Sequence, residues 1–228
     1  MSKSTFVTAR VLVLVMAAAT ACIDEPAPAE AVTHEQAQAS IIDALPRQLQ
    51  AMLAFQDQMR KLWEDHILWT RQFIVSVAHG LPDAGPTAQR LLANQVDIGN
   101  TFRRFYGDAV ADHLTQLLTD HILIAAQLLT AAKAGDSAGV EAANAAWIAN
   151  ADQIAGLWAQ INPRAWPLDE MKDHMHTHLT LTLAEAVARL NGDFAGDIAK
   201  YDEVHAAILE MADMLSLGII QQFPRKFP

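Results

Sequence analysis

The sequence predicts an all-α fold, a helical bundle of about six main helices arranged as three repeated α-hairpins. Alanine and leucine dominate a chain that is 52% hydrophobic, and the apolar residues recur at spacings near three and four. No run of strand-like alternation interrupts that pattern. The chain also aligns with itself: "HILWTRQFIVSVAHG" (66–80), "HILIAAQLLTAAKAG" (121–135) and "HLTLTLAEAVARLNG" (178–192) superpose without a gap. At 228 residues there is enough chain for a substantial core, and a net charge of −10 argues against nucleic acid or an anionic membrane surface as a partner.

The first segment, 1–21, reads as an export signal. "MSKSTFVTARVLVLVMAAATAC" has a basic head at Lys3 and Arg10, an apolar run from Val11 to Ala19, and small residues before Cys22. That run is far below the roughly 20 residues a membrane-spanning helix needs. "ATAC" resembles a bacterial lipobox, with Cys22 as the lipidated first residue of the mature chain, and departs from it at Ala19, where a larger aliphatic residue is usual. Ordinary cleavage after Ala19-Thr20-Ala21 is the alternative. Both place the protein outside the cytoplasm, in the periplasm or at the cell surface, tethered at Cys22 or secreted. The membrane enters only through that anchor. Residues 22–40 form a Pro, Ala and Glu tether with too little apolar surface to fold.

A single helical-bundle domain is expected over 41–228, with repeats at about 46–107, 108–163 and 164–224. Pro46 suits a first helical turn. In each repeat a histidine stands at the same spacing before a glycine: His66 and Gly80, His121 and Gly135, His178 and Gly192. Glycine there suits a helix end that turns into the left-handed region. An aspartate and another glycine follow each time, at Asp83 and Gly85, Asp136 and Gly139, Asp193 and Gly196. A second helical pattern then carries "QVDIG", "NADQI" or "EMADML" and stops at "FYGD", "INPR" or "QFPR". "FRRFYGD" (102–108) reads as an exposed helix end.

The three histidines are the candidate site. His66 and His121 lie on apolar stripes with Trp63 and Phe73, and with Leu118 and Leu128, so both imidazoles should face the core. Asp97 and Asp152 follow their hairpin glycines at one common spacing, which puts them at the height of His66 and His121 in antiparallel helices. In the third repeat Asp213 lies a helical turn further beyond Gly192, and Glu210 fits the height better. Three hairpins closed about one axis would bring His66, His121 and His178 to one transition-metal ion, with these carboxylates orienting the rings or completing the coordination. Neutral imidazoles with carboxylates suit zinc, iron, manganese or copper without distinguishing them. In the plainer reading each histidine bonds its own hairpin's carboxylate and only fixes helix register. A weaker, separate metal feature is "MKDHMHTH" (171–178), where Met171, His174, Met175 and His178 share a stripe.

No HExxH, glycine-rich phosphate loop, GxSxG elbow or paired Glu-x-x-His is present, and the only cysteine is Cys22. The segments "LWEDHILWTR", "FYGD", "HILIAAQLLTAAKAGD", "IANADQIA" and "QFP" resemble those of a family of small all-helical bacterial proteins of unknown function, over roughly residues 60–224. Some members of that family carry the automatic label acetylglutamate kinase. That enzyme has an α/β fold and binds ATP through glycine-rich loops, features absent from this sequence, so the label is taken as an error. The resemblance implies the helical fold and adds no catalytic residues. The expected function is therefore non-catalytic binding of a metal ion at the histidine layer of an exported protein. The alternatives are a metal-dependent enzyme using that layer, and a structural or partner-binding envelope protein.

Overall fold

Pro46, with φ −54° and ψ 139°, sets the chain for a helix that starts at the next residue and runs 33 residues. This helix, α1 (Arg47–His79), is followed by α2 (Ala84–Tyr106), α3 (Asp108–Ala134), α4 (Ser137–Ile161), α5 (Leu168–Leu190) and α6 (Phe194–Gln222), then a 3₁₀ turn at Pro224–Lys226. The computed structural model describes Asp43 and residues 45–228, and among these residues there is no strand. The segments expected to be an export signal and a tether, with Cys22 between them, lie outside the described residues. No described helix is long and apolar enough to cross a membrane.

The hairpin turns follow from the sequence. Gly80, Gly135 and Gly192 all have positive φ, between 65° and 75°. In each the glycine N–H and the next N–H fold back onto carbonyls of the last helical turn, as in Gly80 to Val77 (3.2 Å) and Leu81 to Ser76 (2.8 Å). This satisfies carbonyls that a helix end leaves unpaired. Asp136 and Asp193 then cap α4 and α6 by accepting the N–H of Gly139 (3.0 Å) and Gly196 (2.9 Å). A methyl group on either glycine would overlap the capping carboxylate, which accounts for that pair of residue types. Asp83 makes no such side-chain bond, so the first hairpin opens its second helix differently.

Each helix packs on its neighbours in the chain, and α6 returns to pack on α1, which closes a six-membered ring. α1 also touches α3 and α5, so these three helices lie nearest the axis. The copying of one ancestral hairpin three times remains a proposal from the sequence. The main core runs from Phe55, Met59 and Trp63 through Ile154 and Trp158 to Met211 and Leu215. A smaller cluster of Ile74, Leu129 and Ala186 sits nearer the three hairpin turns.

The connection from α4 to α5 is wedged into the ring. Trp166 is fully buried, its indole N–H donates to the Met214 carbonyl (3.2 Å), and Asn162 donates to the Gly218 carbonyl (3.0 Å). A Cβ at Gly218 would overlap the Trp166 indole. At the same end Phe227 is buried against Phe55 and Phe105, with Arg104 over the Phe105 ring at 4.6 Å. Gly218→Ala is therefore expected to cost about 1–3 kcal/mol of stability through overpacking, read as a lower urea midpoint with an unchanged slope. Gly85→Ala, where a Cβ meets nothing, serves as the control.

Candidate functional site

Ring closure buries one histidine from each inner helix. His66 on α1, His121 on α3 and His178 on α5 are 2%, 3% and 4% exposed. The His178 ring lies 5.7 Å from that of His66 and 6.3 Å from that of His121, centroid to centroid. Tryptophans close the layer: Trp63 stands edge-on to His66 at 5.7 Å, and Trp147 lies 5.2 Å from His121.

The partners of these rings are amides, and not the carboxylates expected. His121 Nδ1 lies 2.7 Å from Asn150 Oδ1, and the Asn150 amide donates to the Leu117 carbonyl at 3.0 Å. That second bond fixes the amide, so His121 Nδ1 carries the proton and donates it, leaving Nε2 as a free lone pair. In the first hairpin Asn94 donates to the Leu62 carbonyl (3.0 Å), the same position relative to its histidine. Gln95 donates to the Leu91 carbonyl (2.8 Å) and faces His66 Nδ1 at 3.2 Å. His66 Nδ1 is thus the acceptor and Nε2 carries the proton. In the third hairpin α6 opens with the same aspartate cap as α4, so the position that matches Asn150 and Asn94 holds Ala207, and the one that matches Gln95 holds Ile208. His178 Nδ1 and His121 Nε2 are buried without a partner in the protein, as are the indole nitrogens of Trp63, Trp147 and Trp158.

The expected carboxylates lie elsewhere. Asp97 and Glu210 are exposed. Asp152 faces outward to Lys172 (3.0 Å) and His176 (2.9 Å), and Asp213 pairs with Arg60 at 2.6 Å. The common spacing did not track the inward face: Asp97 lies three positions after Asn94, and Asp152 two after Asn150. The step from Asn94 to Asn150 is longer by one than the step from His66 to His121. Matching Asp97 with Asp152 at a constant spacing ignores that extra position, and one position turns a helix by about 100°. In the third hairpin no such pairing forms. Met171 and Met175 pack in the main core, and His174 is half-buried one turn before the layer. Among the described residues, no group of three or more His, Cys, Asp or Glu side chains is drawn together closely enough to hold an ion.

Burial sets the electrostatics. Desolvation, helped by repulsion from His121, pulls His66 down to about 3, and desolvation pulls His121 down to about 4. His178 is held well below its ordinary value by desolvation and by the other two rings. All three are neutral at physiological pH.

A second buried polar group was not singled out by any motif in the sequence. Arg71 of α1 bonds Glu185 of α5 (2.7 Å) and Asp197 of α6 (2.7 and 3.0 Å), and Arg189 joins Asp197 at 3.0 Å. Glu185 and Asp197 are fully enclosed. Desolvation outweighs Arg71 and raises Glu185 to about 7. The sequence did hold a signal, since Glu185 lies two helical turns beyond His178 on the same inward stripe. The network ties α1, α5 and α6 at the closing seam of the ring.

Comparison with family models, curated proteins and solved structures finds no match to this chain.

These shifts set the response to acid. Below about pH 6.5 the unfolded chain takes up three histidine protons that the folded interior refuses, so each histidine removes up to about 1.4 kcal/mol of stability per pH unit. The loss continues until pH approaches the folded values near 4 and 3. Glu185 acts in the opposite sense between 7 and 4.5, because there the folded state keeps a proton the unfolded state has lost. Between pH 6.5 and 4.5 the net fall is about 3 kcal/mol per pH unit. Urea unfolding at pH 7, 6 and 5 measures it. His121→Leu should lower the slope by about 1.4 kcal/mol per unit, and a urea midpoint constant from pH 7 to 5 would contradict neutral burial.

Proposed function

We propose that this is an exported, non-catalytic metal-binding protein that holds one transition-metal ion inside the ring, at His121 and His178 with His66 beside them. The export signal and the lipobox-like Cys22 support a location outside the cytoplasm, anchored through the mature N-terminus. One observation carries the metal assignment: the layer contains two neutral imidazole nitrogens, His121 Nε2 and His178 Nδ1, with no partner in the protein. His121 is the better prepared ligand, because Asn150 already holds its other nitrogen in the protonated form that a metal-bound imidazole adopts.

The fit is incomplete in two respects. Two imidazoles sharing an ion at Zn–N distances of about 2.0–2.1 Å bring their ring centres to about 5 Å. The observed separations of 5.7 and 6.3 Å must therefore shorten for both rings to reach one ion. His66 carries its proton on Nε2 while Gln95 donates to Nδ1, so Nε2 joins the ion only after that proton moves to Nδ1 and Gln95 releases it. With Asp97, Asp152, Asp213 and Glu210 outside the layer, the donors are imidazoles alone. That set favours zinc or copper over manganese.

Purified mature protein, stripped by chelator and titrated with zinc at pH 7, should take up one equivalent. At a free zinc concentration about 100 times Kd the ion adds about 2.7 kcal/mol of stability. The triple variant His66→Ala, His121→Ala, His178→Ala should bind none and show no zinc-dependent rise in Tm. Equal uptake by both proteins, or no stoichiometric uptake by the wild type, removes the proposal and leaves the amide–imidazole pairs as register devices.

A further inference from the structure

A net charge of −10 hides an uneven distribution. Most lysines and arginines among the described residues pair with a carboxylate. Six have no such partner among the described residues. Lys133 stands near the hairpin turns and donates to the Val77 carbonyl. The other five, Arg47, Arg104, Arg164, Arg225 and Lys226, are all exposed and all lie at the opposite end of the ring. There α1 begins, α2 and α6 finish, and α4 connects to α5.

Four of these cations form one corner. The chain leaving α6 crosses the start of α1 to reach the end of α2: Gln48 donates to the Pro224 carbonyl (3.1 Å), and Phe227 stacks on Phe105 with ring centres 5.6 Å apart. Arg104 donates to the Lys226 carbonyl (3.0 Å), and the Lys226 ammonium donates to the Arg104 carbonyl. Both charges then share one ring, the Arg104 guanidinium 4.6 Å and the Lys226 ammonium 5.8 Å from the centre of Phe105. Arg47 adjoins Gln48 in the chain, and Arg225 adjoins Lys226. Like charges held this close repel, and the acids at this end do not relieve them. Asp108 and Asp112 of α3 are taken by Arg103, Asp169 and Glu170 sit on the first turn of α5, and Asp43 precedes Arg47 by four residues without pairing with it. An external anion is the missing partner.

Two features say which anion. The corner contains the start of α1, and only residues 23–46 separate Arg47 from Cys22. The hairpin turns at the far end carry Asp83, Asp136 and Asp193, all exposed. An anionic bilayer therefore repels the turn end and attracts the end that the anchor holds near it. Leu49, 40% exposed beside Gln48, adds an apolar side chain suited to the headgroup boundary.

We infer that this corner, Arg47, Arg104, Arg225 and Lys226, docks on the anionic phospholipid headgroups of the membrane that holds the protein, with the start of α1 against the bilayer and the three hairpin turns pointing away. The inference rests on the reading of Cys22 as a lipid anchor for its nearness to a bilayer, and on the described cations for its affinity. Each cation near such a surface raises the affinity about fivefold.

The test uses the mature chain carrying Cys22→Ser, and so free of lipid, sedimented with phosphatidylcholine vesicles that hold either no phosphatidylglycerol or about 30% of it. Binding to the anionic vesicles alone at about 0.1 M salt, lost at about 0.5 M, is expected. Arg47→Glu combined with Arg225→Glu should weaken it about 25-fold or more, with the helical spectrum and Tm unchanged. The same charge change made as Lys61→Glu with Lys200→Glu should leave binding as in the wild type, because Lys61 lies about 20 Å along α1 from Arg47, beyond the screening length. The mass of mature protein extracted from the envelope reports the lipid on Cys22 separately, so failure of the anchor and failure of the corner are distinguishable. No binding to the anionic vesicles, equal binding to neutral ones, binding insensitive to salt, unchanged affinity in the Arg47 and Arg225 double variant, or equal capture by a DNA duplex overturns the inference.

Discussion

Closure of the ring by α6 against α1 is the constraint on which the other features depend. An open array of the same hairpins would hold the inward stripes of α1, α3 and α5 at separate helix–helix seams, each partly wetted. Closed, they share one axis, and three imidazoles from widely separated points of the chain lie ring to ring in a space that water does not reach. The depressed histidine values and the unpaired nitrogens both follow from that one enclosure.

Two devices hold α6 in the ring, and they differ in kind. Trp166 against Gly218 is a packing device, intolerant of even a methyl group. The Arg71, Glu185, Asp197 and Arg189 network is electrostatic, and breaking one member leaves a buried charge without compensation. Glu185 is its soft point, since desolvation brings it to about 7 despite the arginine beside it.

Much of this was legible in the sequence. Helical periodicity gave the class, and the glycines at 80, 135 and 192 marked the three turns because positive φ is cheap only for glycine. The inward direction of His66, His121 and His178 followed from their apolar stripes. Their partners did not follow. Spacing counted across a loop assumes equal loop geometry, and the first hairpin opens α2 without the aspartate cap used by α4. That spacing pointed to Asp97 and Asp152, two or three positions past the inward-facing Asn94, Gln95 and Asn150. Amides also carry no charge to set them apart in a sequence, although a buried neutral ring needs only a dipole opposite it. The Arg71 network joins positions far apart in the chain, and such a pairing is set by ring closure rather than by local pattern.

The missing amide in the third hairpin leaves the layer asymmetric. Asn150 and Gln95 dictate which nitrogen bears the proton on His121 and His66, and in opposite senses. Where those hairpins carry an amide, α6 carries Ala207 and Ile208, so no amide dictates it on His178. One member of the trio is therefore a convertible contact, donor or acceptor according to whatever faces it, set between two neighbours of fixed polarity.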